Sequence, residues 1–135
     1  MATNPSFLSL ARIGKGKILT GNTSRTTSAT LPTSGADIIT GAAAGTRILE
    51  IVVQATNDPA DSIVVLWLFD GTEYSVFDEI DIGNPSAASA TTVGYRTRVL
   101  YDNLVLPSAS YKLAATITAT STGDVNVYAL GGDLT

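Results

Sequence analysis

Asp78, Glu79 and Asp81 crowd one short stretch and alternate with Phe77, Ile80 and Ile82. In an extended strand Glu79 and Asp81 share a face, where their oxygens would suit a hard cation such as Ca2+. Calcium needs about six to eight oxygens, and no EF-hand spacing is present to supply them. The expectation is therefore a solvated strand face. Asp58 and Asp61, on either side of Pro59, read as loop solvation in the same way. Asp70, Glu73 and Asp78 could offer the carboxylate pair of a glycosidase, but a short chain with one Trp has little material for a sugar cleft. The chain has no His and no Cys. That removes the commonest proton shuttle at neutral pH, the commonest transition-metal ligands and the thiol nucleophile. A non-enzymatic protein with no cofactor and no metal is expected.

Arg96 and Arg98 share one strand face, and Arg47 stands on another strand. Two readings stay open for them. They are exposed and loosely paired with nearby acids, or they contact carboxylates of another subunit, where Arg is enriched. Trp67 sits between Leu66 and Leu68, which predicts burial in a core and not a sugar-stacking platform. Tyr95, Tyr101, Tyr111 and Tyr128 should pack their rings and leave their hydroxyls at the rim.

These residues need a scaffold, and its pattern is that of strands. Thr46–Thr56 alternates, with Arg47, Leu49, Ile51, Val53 and Ala55 on one face and Ile48, Glu50, Val52 and Gln54 on the other. Residues 63–69 are apolar on both faces, as in a strand covered on each side. Asp70-Gly71 then marks a hairpin into the strand of Tyr74, Val76, Phe77, Ile80 and Ile82. The alternation breaks between Val76 and Phe77, which predicts a bulge. Val93–Tyr101 alternates as well, and the stretches 111–120 and 125–130 look like a second hairpin. No segment has a helical period. The fold class expected is all-β: an antiparallel, jelly-roll-like sandwich of eight strands. The polar tracts Asn22–Ser34 and Ser86–Thr92 read as flexible surface loops.

Residues 1–20 form a separate segment, and 21–135 the sandwich domain. Phe7, Leu8, Leu10 and Ile13 are apolar residues ahead of Gly14-Lys15-Gly16-Lys17. They suit an extended arm that docks on a neighbouring subunit, or an edge strand added to the chain's own sheet. Phe7, Leu8, Leu10, Ile13, Arg47, Arg96 and Arg98 are the candidate interface residues.

Eight Lys and Arg against twelve Asp and Glu give a net charge of −4, which argues against nucleic acid as a partner. No run is long enough to cross a membrane as a helix. Charged residues make up only 15% of the chain. A free cytosolic monomer keeps itself soluble with more charge than this, so either a surface largely covered by neighbours or a secreted-type surface protein is expected.

The segments Ala2-Thr3-Asn4-Pro5, Ile18-Leu19-Thr20-Gly21-Asn22-Thr23 and Gly45-Thr46-Arg47-Ile48 resemble those of small structural proteins of tailed bacteriophages. Leu68–Tyr74 and Ala129-Leu130-Gly131-Gly132-Asp133 do so too. That resemblance implies a capsid decoration (cement) protein on the outside of the virion, assembled in the host cytoplasm. Its implied partners are the major capsid protein and further copies of itself, as a trimer or a dimer. A tail-fibre, spike or neck component of the same particle is one alternative, and a carbohydrate-binding module is another.

Overall fold

The computed structural model describes residues 8–56 and 59–134, with burial defined from Leu10 onward. Among them the protein is all-β: β1 (Leu8–Ile18), β2 (Ala36–Thr40), β3 (Thr46–Ala55), β4 (Ser62–Phe69), β5 (Tyr74–Gly83), β6 (Arg96–Leu106), β7 (Lys112–Ile117) and β8 (Val125–Leu134). Two four-stranded sheets result, ordered β1-β8-β3-β6 and β2-β7-β4-β5, and every neighbouring pair of strands is antiparallel.

One apolar core fills the space between them. Ile18, Ile48, Ile51, Val53, Val125 and Val127 of the first sheet meet Ile38, Val64, Leu66, Ile80, Leu113 and Ile117 of the second. β-Branched residues dominate both sets because they pack well on a pleated, half-buried surface. Both flanks are closed. On one, β1 turns Gly14 toward β2, where an added Cβ would strike the Ile38 carbonyl oxygen and come within 2.5 Å of Ile39 Cβ. The missing side chain is what lets the two sheets approach there. On the other flank the Tyr101 hydroxyl of β6 donates to Asp78 Oδ2 of β5 at 2.6 Å, and its ring lies 6.2 Å from that of Phe77.

The expected turn at Asp70-Gly71 joins β4 to β5. Gly71 has a φ of 96°, a left-handed conformation that glycine takes without a Cβ clash. Asp70 Oδ1 accepts the amides of Thr72 and Glu73 at 2.9 and 3.0 Å. Those bonds, that from Glu73 first and that from Thr72 second, hold the Asp70 carboxyl below its ordinary pKa. The bulge is also present: the β4–β5 register shifts so that Trp67 faces Val76 and Leu66 faces Asp78, leaving Phe77 as the extra residue.

Three expectations need correction. The stretches 111–120 and 125–130 do not form a hairpin, because β7 lies in the second sheet and β8 in the first. The intervening turn carries the chain across the core, with Ser121 N–H bonded to the Leu19 carbonyl at 2.8 Å. In β3, Leu49 is the extra residue of a bulge against β8, and at the same place the β3–β6 register slips with its extra residues on β6. Ile48 therefore turns inward with Ile51, and Leu49 is left outside. Residues 22–34 are not a loose loop but a strap pinned to the second sheet. The amide of Asn22 bonds to the Ile117 carbonyl at 2.8 Å, and Ser28 pairs with Tyr74 in both directions at 3.1 and 2.7 Å. Beneath the strap, Leu31 packs on a second apolar cluster of Val65, Trp67, Tyr74 and Ala114. This cover explains why β4 is apolar on both faces.

Candidate functional site

The outer face of the β1-β8-β3-β6 sheet gathers most of the apolar surface that the fold leaves uncovered. Strand register lays its residues in rows. Ile13 lies opposite Leu130, then Glu50 and Leu100. The next row is Lys15, Tyr128, Val52 and Arg98, and the one after it Lys17, Asn126, Gln54 and Arg96. The first row, with Leu49 pushed out by its bulge, walls a shallow depression of about 510 Å3 that also includes Ala11 and Gly131. Leu10, Ile13, Leu49 and Leu100 are 62%, 72%, 41% and 65% exposed. Scattered single apolar residues are normal on a surface, but contiguous ones mark an interaction site.

The charges around this depression are arranged and not random. Arg98 Nη1 lies 3.5 Å from Glu50 Oε2 at its rim. Arg12 Nη1 lies 3.0 Å from Asp133 Oδ1 and donates to the Thr40 carbonyl at 2.9 Å. Thr46 Oγ1 donates to the same carboxylate oxygen at 2.8 Å. Loss of water around Asp133 raises its pKa, but the bonds from Arg12 and Thr46 and the guanidinium charge outweigh that and leave it lowered. Farther along the strands Lys15, Lys17, Arg96 and Arg98 make a basic end, with Lys17 Nζ 3.8 Å from Asp124.

Of the residues singled out from sequence, Ile13 and Arg98 line the depression, and Arg96 stands at the basic end of the same face. Arg47 turns toward β6, where Nη2 donates to the Asp102 carbonyl at 2.6 Å and Nε is buried without a hydrogen bond. Leu10 is exposed near the start of β1. Leu8 pairs through its backbone with Leu134. Phe7 lies outside the described residues. From Leu8 to Ile18 the chain is an edge strand of its own sheet, the second of the two arrangements open to it. Leu49, Leu100 and Leu130 were missed as site residues. Strict alternation puts the first on one face with Ile51, and the other two join Ile13 only through pairings of distant strands.

The acidic residues do not converge. Glu79 accepts from Arg25 Nε at 2.8 Å, Asp78 accepts from Tyr101, and Asp81 Oδ1 accepts the Gly83 amide at 2.9 Å. Among the described residues no group of three or more Asp and Glu is placed to hold a metal ion. Trp67 is fully buried and donates from Nε1 to Thr116 Oγ1 at 3.0 Å, so its ring offers no surface to a sugar. No protein-family model matches the chain, and no curated protein matches it.

Proposed function

We propose that this chain is a non-enzymatic structural protein of a tailed-phage particle, a jelly-roll sandwich that binds the outer capsid and stabilises contacts between major capsid subunits. The observation that carries this reading is the exposed apolar depression on one sheet face, which suits assembly better than catalysis. The strand orders β1-β8-β3-β6 and β2-β7-β4-β5 support two interlocked Greek keys, an architecture common among capsid and lectin domains. Burial of Trp67 beneath the strap favours the capsid side of that pair over the lectin side.

A shell is stabilised by mass action when a protein binds only its assembled form, and many symmetry-related copies make modest contacts sufficient. In this reading residues 1–7 contribute to the contact with the capsid subunits. A truncation that tests this contribution stops before Leu8, because β1 itself closes one flank of the core through Gly14. Quantitative mass spectrometry of purified particles tests the proposal. The chain should be present in a fixed ratio to the major capsid protein and should be released by capsid disassembly. Its absence from the particles overturns the reading.

A further inference from the structure

We propose that the outer face of the β1-β8-β3-β6 sheet is a two-fold interface between two copies of this chain. The inference deepens the assembly reading above by assigning the surface through which the protein self-associates. Among the described residues, five of the six large exposed apolar side chains belong to this sheet, and four of them, Ile13, Leu49, Leu100 and Val105, to its outer face, Leu10 sharing the inward side of β1 with Gly14. The sixth, Val93, lies in the loop between β5 and β6. A molecule with one extended apolar surface can cover it with a second copy only by presenting the same surface, which is the definition of an isologous contact. Four strands about 4.8 Å apart and about 30 Å long give a face of about 600 Å2. That approaches the roughly 800 Å2 per partner of a standard stable interface.

Charge selects the orientation. When two faces pack together, their two-fold axis lies in the plane between them. An axis along the strands would set Lys15 and Lys17 of one copy over Arg96 and Arg98 of the other. Those four are half of the chain's eight cations, and such like-charge contact is costly. An axis across the strands sets the basic end over the opposite end of the second copy, where Ala11, Gly132, Arg47 and Val105 form a row and the Arg47 guanidinium is already held on the Asp102 carbonyl. The row of Ile13, Leu130, Glu50 and Leu100 then meets itself, and each Glu50, though opposite its own copy, keeps Arg98 as its counter-ion.

Sedimentation velocity on the purified full-length chain should show a dimer. Leu100→Asp should weaken it by about thirtyfold or more, with the circular dichroism spectrum unchanged. Because the chain has no cysteine, Leu100→Cys introduces a single thiol close to the proposed axis without a large change in shape. Packed sheets lie about 10 Å apart, too far for a disulfide but within reach of a short bismaleimide. That reagent should cross-link Leu100→Cys to its own copy and leave Val93→Cys unlinked. A wild-type chain that is monomeric at about 100 μM, well above the Kd of a stable dimer, overturns the proposal. So does an oligomer insensitive to Leu100→Asp, or equal cross-linking of the two cysteine variants. A monomer that still appears in purified particles would overturn the interface alone and leave the virion reading standing.

Discussion

Trp67 is the largest fully buried side chain among the described residues. Its indole N–H has one partner, the hydroxyl of Thr116, and both residues are buried. Trp67→Phe keeps most of the apolar contact but orphans that hydroxyl, so chemical denaturation should report a loss of about 1–3 kcal/mol. Tyr74 sets an alkaline limit. Burial first, and then the bond from its hydroxyl to Asp37 Oδ1 at 2.9 Å, push its pKa up to about 12. Burial and the bond to Asp78 raise Tyr101 as well. A phenol whose folded pKa exceeds its unfolded value near 10 stabilises fully below that pH. Its contribution is lost as pH rises from about 10 toward 12. Thermal melts across that range should fall for the wild type and fall less for Tyr74→Phe. Burial of Trp67 was legible from its apolar neighbours. The partners of the two tyrosines were not, because Asp37 and Asp78 reach them only through the folded register.

Strand existence and the β4–β5 hairpin were readable because alternation and turn chemistry are local. The tight Asp70-Gly71 turn needs a left-handed residue, and the sequence has glycine there. Even the bulge at Phe77 showed itself as a broken alternation. Strand pairing is non-local, and there local reasoning failed. β7 and β8 have the look of a hairpin, yet each finds its neighbours far away in the chain. The bulge at Leu49 hides in an apolar stretch, where one more hydrophobic residue does not disturb the pattern. The strap over β4 gave no signal because its hold on the sheet is three backbone hydrogen bonds, the pairing of Arg25 with Glu79, and Leu31. Leu31→Asp should therefore free the strap and speed amide exchange at Ser28 and Tyr74, while amides of β8 stay protected. Gly14→Val tests the closed flank: the added methyls have no room against Ile38 and Ile39. It should cost about 1–3 kcal/mol by denaturation, as overpacking does.

At the scale of the whole molecule, the strap covers the middle of one sheet's outer face and nothing among the described residues covers the other's. The second sheet has the core inside and the strap outside, whereas the first has the core inside and an apolar and basic face toward solvent. Low charge content hinted at a covered surface but could not say where, because the site is assembled from β1, β3, β6 and β8. Of the candidate interface residues, Ile13, Arg96 and Arg98 share this face through strand pairing and not through closeness in sequence. The most direct measurement is carbene footprinting of the purified chain, dilute and then concentrated. If assembly through this face is how the protein works, Ile13, Leu49 and Leu100 lose labelling as concentration rises and Val93 keeps it. Equal labelling of Ile13, Leu49 and Leu100 at both concentrations would contradict the account.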